Sequence, residues 1–149
     1  AEMAKALDYH VIVCDPRENL MEQWPVEGIQ LITGMPDDAV KAHANDPFSA
    51  IIALTHDPRI DDMGLMEALT TDAYFIGAMG SKKTSENRRQ RLQQLDLTDV
   101  QIDRLHAPVG LPIGSKTPAE IAIAILAQLT ALRSEKGKAV KADYRKLPA

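Results

Sequence analysis

The sequence predicts an α/β domain, a doubly wound parallel sheet with helices on both faces. Three observations lead there. Short β-rich runs alternate with helical ones along the chain, the order that builds successive strand–helix–strand units. The strand candidates are continuous apolar runs without polar alternation, so they are covered on both faces, as in a parallel sheet. The chain has 149 residues, of which 45% are hydrophobic and 26% charged, which suits a single domain with one hydrophobic core.

The elements follow in order. Residues 1–7, AEMAKAL, have helix composition but no N-cap before them. A helix without a start signal implies that a segment upstream is missing. Strands are expected at 10–15 (HVIVCD), 29–33 (IQLIT), 49–55 (SAIIALT, the clearest) and 73–77 (AYFIG). Between them lie helices at 36–44, with two acids in the first turn suiting the positive end of the dipole, and at 61–69, where Met63 and Met66 are expected to face the core. Ser81 can cap a basic helix running to about Leu95, and Thr98 a short one ending near Leu105. Thr117-Pro118-Ala119-Glu120 has Thr at the N-cap, Pro at the first helical position and Glu closing a capping box. The helix it opens, to about Ser134, is apolar on most faces through Leu129 and is expected to be buried. Residues 1–135 therefore form one domain. Residues 136–149, with five basic residues, read as a solvated basic tail or loose arm.

A Rossmann-like sheet places its first strand centrally, beside the second and the fourth. This chain starts in the helix that follows that strand. Losing a central strand splits the sheet and exposes two apolar edges. The missing strand is then expected from residues outside this sequence or from another chain, unless the strand order differs.

Composition excludes several classes. Lys plus Arg is 17 against 21 Asp plus Glu, a net charge of −4, so the chain is not built to wrap nucleic acid. The longest apolar run, 121–127, falls well short of the roughly 20 residues a membrane span needs, and no membrane association is expected. Cys14 is the only cysteine. A disulfide framework is impossible, and a cytoplasmic, reducing location is the expectation.

Chemistry concentrates at strand ends, where open α/β sheets gather ligands. Asp15 closes the first visible strand, where an acid binds a ribose hydroxyl in dinucleotide-binding domains. The glycine fingerprint that goes with it would lie upstream of Ala1, and Asp15-Pro16 also reads simply as a turn. Thr55-His56-Asp57 brings a hydroxyl, an imidazole and a carboxylate to the end of the clearest strand, as general-base or hydrogen-bonding groups or as the start of a turn. No ligand spacing for a metal appears. Gly77-Ala78-Met79-Gly80-Ser81-Lys82-Lys83 has too few residues between its glycines for a P-loop. Its glycines, the helix start at Ser81 and the charge of Lys82, Lys83, Arg88, Arg89 and Arg91 nevertheless favour anion binding over a solvated basic face. Residues 108–115, which include Pro108 and Gly110, form a Gly/Pro loop before the long helix.

Three stretches, 53–69 (ALTHDPRIDDMGLMEAL), 74–92 (YFIGAMGSKKTSENRRQRL) and 104–129 (RLHAPVGLPIGSKTPAEIAIAILAQL), together with VCDPRE at 13–18, resemble the C-terminal Rossmann-like domain of the XdhC/CoxI family. The resemblance runs from Ala1 to about Arg133. It implies a maturation factor for xanthine dehydrogenase-type molybdoenzymes that binds molybdenum cofactor (molybdopterin), helps its sulfuration by a cysteine desulfurase, and delivers it to the apo-enzyme. It implies Thr55, His56, Asp57, Gly80, Ser81, Lys82, Pro108 and Gly110 as residues facing the ligand crevice, with no catalytic residue. On the same fold, an NAD(P)-binding oxidoreductase using Asp15 is the alternative. A protein-interaction module working through the basic helix or the tail is a third. A homodimer is the prior expectation for a domain with an open sheet edge.

Overall fold

A computed structural model describes residues 1–134; the expected basic tail lies outside the described residues. The elements run α1 (Glu2–Ala6), β1 (Ile12–Asp15), α2 (Glu18–Glu22), β2 (Gln30–Thr33), α3 (Pro36–His43), β3 (Ala50–Ala53), α4 (Pro58–Ala68), β4 (Phe75–Ala78), α5 (Lys82–Gln93), α6 (Asp99–Ile102), β5 (Leu105–His106) and α7 (Pro118–Ser134).

All pairings are parallel, and the sheet is split. β1 pairs with β2, Val13 opposite Leu31. β3, β4 and β5 form a separate sheet, with Ile51 opposite Ile76 and Gly77 opposite His106. The orders β1-β2 and β3-β4-β5 reproduce a doubly wound sheet of order 3-2-1-4-5-6 with strand 1 left out. The split is thus the one expected from the sequence. Gln30 N–H donates to Val11 O at 3.1 Å and Gly34 N–H to Asp15 O at 3.4 Å. The pleat then turns the backbone groups of Ile12 and Cys14 to the open edge of β1. Met79 N–H donates to Ala53 O at 3.0 Å, so Ala50 and Ile52 turn theirs to the open edge of β3.

The core lies on both faces of β4, which is buried throughout. On one face Ile76 and Ala78 meet Val40, Leu65, Ala68, Leu69, Leu92 and Ile102 from α3, α4, α5 and α6. On the other, Phe75 packs with Ile125 and Leu129 of α7, closed by Tyr9, Tyr74 and Val109. A strand covered on both sides has no reason to alternate polar and apolar residues, which explains its sequence.

Some boundaries differ from those read in the sequence. α4 begins at Pro58, because Asp57 caps it by accepting from Arg59 N–H at 3.0 Å. Its core face is Leu65, Ala68 and Leu69, while Met66 is 37% exposed, so Met66 does not face the core as expected. α6 stops at Ile102, and Leu105–His106 pairs with β4 as a two-residue strand where the sequence suggested helix. α7 buries Ala124, Ile125 and Leu129, but Ile123 is 52% exposed. Only one stripe of that helix is covered, not most of its faces.

Candidate functional site

The carboxyl ends of β1, β3 and β4 carry the sequence-predicted residues. Asp15 ends β1, and both of its oxygens are occupied. Oδ1 accepts from Arg17 N–H at 2.9 Å and Nε at 2.8 Å, and Oδ2 accepts from Nη2 at 2.7 Å. The hydrogen bonds from Arg17 hold its carboxyl below the usual carboxylate range, with burial opposing. Asp57 repeats this arrangement. Its Oδ1 accepts from Arg59 N–H and Nε at 3.0 and 3.1 Å, and its Oδ2 from Nη2 at 2.9 Å. Both sites are Asp-Pro-Arg, at 15–17 and 57–59. The repeated tripeptide was a signal open to sequence reading. It marks two turns of one construction flanking the split in the sheet, close enough for Arg17 and Asp57 to attract each other.

Thr55 is tied down. Its N–H and hydroxyl donate to Asp61 Oδ1 at 3.2 and 2.7 Å, and its Oγ1 accepts from Asp57 N–H at 3.2 Å. His56 is exposed and makes no side-chain hydrogen bond among the described residues.

The loop after β4 separates its two glycines into different roles. Gly77 is inside the core, where an added Cβ would lie 2.6 Å from Val109 Cγ2 and 2.8 Å from Phe75 Cε1. Gly80 is at the surface of the turn with φ +156°, and a Cβ there would meet Thr84 Oγ1 at 2.5 Å. Ser81 caps α5 by accepting from Thr84 N–H at 3.1 Å. Lys82 opens that helix, and Pro108 faces it across a cleft of about 350 Å³ also lined by Ser85, Glu86, Arg89, Ile102, Leu105 and Ala107, so one carboxylate shares the cleft with the two basic side chains. Ser85 Oγ is buried without a hydrogen-bond partner, on a residue only 8% exposed. It lies beside Gly80, 3.8 Å from where a Cβ would be. A buried hydroxyl left unpaired is costly, and this one lies in the wall of the cleft near the start of α5. Gly110 sits behind this cleft at φ +105°, its N–H donating to Gln128 Oε1 at 2.8 Å.

The basic helix is less free than its sequence suggests. Arg88 is buried against Asp61 and Asp62, Arg91 pairs with Asp62, and Arg89 with Asp103. Of the five cations expected to add charge to the anion site, only Lys82 and Lys83 have no acidic partner among the described residues. The structure therefore puts Lys82 and Pro108 on one cleft, with Gly80 and Ser81 in the turn just before α5. It places Asp15, Thr55 and Asp57 on the neighbouring strand ends, and Gly77 and Gly110 in the packing behind. A second hollow of about 430 Å³ between α2 and β2 is lined by Glu18 and Glu22 with no basic side chain beside them, so it suits an anion poorly. Among the described residues no group of side chains is arranged to hold a metal ion, and no helix is long and apolar enough to cross a membrane.

The family whose model matches this chain is described as the XdhC Rossmann domain, and the match runs over residues 1–129. The chain belongs to that family. The XdhC Rossmann domain seen here is similar to an uncharacterized protein, YqeB, of Escherichia coli (29% identical over 136 residues, 90% of this chain and 25% of that protein). It is also similar to a probable xanthine dehydrogenase subunit of Bacillus subtilis (28% over 135 residues, 89% and 38%). To the molybdenum cofactor insertion chaperone PaoD of Escherichia coli it is 28% identical over 88 residues, 59% of this chain and 28% of that one. Among solved structures, a xanthine dehydrogenase from Bacillus halodurans superposes with a TM-score of 0.75 at 29% identity, covering 97% of this chain and 41% of that chain. The chain thus spans between a quarter and about two fifths of the length of these proteins.

Proposed function

We propose that the protein is an accessory factor that binds molybdenum cofactor, helps its sulfuration and inserts it into an apo-enzyme of the xanthine dehydrogenase type. Membership of the XdhC family supports the general role, and the relative named as an insertion chaperone points to this cargo. The observation that carries the reading is the cleft at the start of α5. The Lys82 side chain and the N-terminus of α5, with its positive dipole end, border a space that could take the cofactor's phosphate, with the unpaired Ser85 hydroxyl buried in its wall and Glu86 the one acid on its lining. The cofactor supplies the molybdenum and the dithiolene that holds it; this chain binds and orients. Thr55 and Asp57 already hold each other, which leaves His56 as the free polar group at that strand end for the pterin.

A cysteine desulfurase as sulfur donor, a homodimer and a cytoplasmic setting belong to the same proposal. The dimer rests on the open sheet edge and the compartment on the single Cys14. The alternative, an NAD(P)-binding oxidoreductase, needs Asp15 to accept from a ribose diol. Both oxygens already accept from Arg17, so the sugar would have to displace a bidentate ion pair.

The test is anaerobic retention. The intact protein is incubated with molybdenum cofactor and, separately, with NAD(H), then desalted and assayed for molybdenum, pterin and nicotinamide. Molybdenum and pterin travelling with the protein, and lost in Lys82→Glu, is the expected result. Nicotinamide without pterin would transfer the function to the oxidoreductase reading.

A further inference from the structure

One buried ion pair stands between the two loops that carry half of the candidate ligand residues. Asp61, in the first turn of α4, and Arg88, on the inner face of α5, are both buried. Arg88 Nη1 donates to the carbonyl of Met79, the residue before Gly80, at 3.2 Å. Its Nη2 meets Asp61 Oδ2 at 3.5 Å, and its Nε donates to Asp62 Oδ1 at 3.2 Å. Asp61 Oδ1 accepts the N–H and hydroxyl of Thr55, which in turn accepts from Asp57 N–H. One chain of contacts therefore runs from Met79 through Arg88, Asp61 and Thr55 to Asp57.

Stability alone is a poor reason for this pair. Desolvating a guanidinium and a carboxylate costs several kcal/mol per ion, and apolar residues of equal volume often replace such pairs neutrally or favourably. Burial also pushes the Asp61 carboxyl upward against the hydrogen bonds of Thr55 and the charge of Arg88, so lost solvation outweighs them. α4 already packs with Leu65, Ala68 and Leu69, and apolar side chains could extend that contact. Apolar side chains cannot hold a backbone carbonyl at the end of β4 and a backbone N–H just beyond β3 at a fixed separation. A forked donor facing a two-oxygen acceptor does both.

We propose that Asp61 and Arg88 are positioning residues: without reaching the ligand, they lock the loop at 55–57 against the loop at 79–81 so that both address one ligand. The ligand part of this statement rests on the cofactor reading above.

The experiment uses the intact protein carrying Asp61→Leu with Arg88→Met, which keeps apolar bulk and removes every link made by these two side chains, leaving the backbone bond from Met79 N–H to Ala53 O. Three quantities are read: amide hydrogen exchange, thermal midpoint and molybdenum cofactor retention. The expected result is a midpoint at or above wild type. Exchange should be about tenfold faster at Thr55, Asp57 and Met79, whose N–H groups are hydrogen-bonded, with β4 and α7 unchanged, and retention about tenfold weaker. Wild-type exchange rates in both loops would overturn the proposal. So would uniform acceleration that includes β4 with a lowered midpoint, since that is a purely structural role. Arg88→Lys keeps the charge and loses the fork, so Met79 should accelerate while Thr55 and Asp57 stay protected. This variant decides the matter if the double variant does not fold; unchanged exchange at Met79 overturns the proposal. Exchange needs no ligand. If wild type retains no cofactor, the functional reading falls while the loops still report on the pair.

Discussion

At the Asp-Pro-Arg turns a carboxylate, a proline and a guanidinium form one compact unit. Pro fixes the φ that starts the turn, the Asp oxygen takes the backbone N–H two residues on, and the Arg side chain folds back over the same carboxylate. The sequence places Asp15 and Asp57 at strand ends. It does not say whether a ligand or a neighbouring side chain takes the acid, because the deciding partner is two residues away and its rotamer is not written in the composition. Arg88 shows the same limit more strongly. It lies in a basic run, yet one side of α5 faces Asp61 and Asp62, so burial and pairing remove it from the anion site. Reversing Arg88, Arg89 and Arg91 together would therefore unfold the packing before it tested any partner surface. Lys82→Glu and Lys83→Glu are the informative changes. Lys82→Glu should weaken cofactor retention about tenfold with the thermal midpoint within a few degrees of wild type, since an exposed charge contributes little to stability. His106 gives a pH prediction. It stacks on Phe75 at 4.7 Å, and burial lowers its pKa. Below its unfolded value of about 6.5 the unfolded chain binds the extra proton, so stability should rise with pH up to that value and level off above it. His106→Gln should flatten this slope in denaturation curves taken between about pH 5 and 7; an unchanged slope would place the titrating group elsewhere.

Elements with their own start signals were the legible ones. Thr117 and Glu120 make the capping box their spacing announces: Glu120 Oε2 accepts from Thr117 N–H at 2.9 Å, and Glu120 N–H donates to Thr117 Oγ1 at 3.2 Å. Thr98 with Gln101 does the same for α6. Elements without such signals were hidden. β5 is two residues long and is a strand only because β4 lies alongside it. α2 follows directly on the first Asp-Pro-Arg turn and buries only Met21, too little to leave a pattern. The caps separate stability from function. Thr117→Ala should lower unfolding free energy by about 1 kcal/mol, read as a shifted urea midpoint at constant slope, and leave cofactor retention intact. Ser81→Ala should cost a similar amount, because its Oγ caps α5, and should also weaken retention if, as proposed, the same turn presents its N–H groups to the cofactor's phosphate. Equal effects of the two variants on retention would mean that the start of α5 is only a helix start.

For the whole molecule, the open edges of β1 and β3 present the largest unmet demand. Ile12 and Cys14 on one side, and Ala50 and Ile52 on the other, have backbone groups turned away from any strand among the described residues, in stretches whose side chains are apolar or small. Unpaired edges of this kind are ready templates for another strand. α1 immediately precedes β1 and packs on the α7 side of the sheet, where Arg133 Nη1 donates to Leu7 O and its guanidinium stacks over Tyr9. A parallel strand in the gap, connected through α1 to β1, would make the right-handed crossover that such units adopt. It would also bring its own carboxyl end between the two Asp-Pro-Arg turns, beside the loops at 55–57 and 79–81. The prediction is that the amides of Ile12, Cys14, Ala50 and Ile52 exchange rapidly in this 149-residue chain and are protected in any longer form that supplies a strand to the gap. Rapid exchange in both would show that the sheet remains split. Protection in the isolated chain that appears only as its concentration rises would show instead that a second copy fills the gap, which is how the expected homodimer would form. The two routes place different backbone at the same rim of the sheet, so on the proposed function the source of that strand bears on cofactor binding as well as on stability.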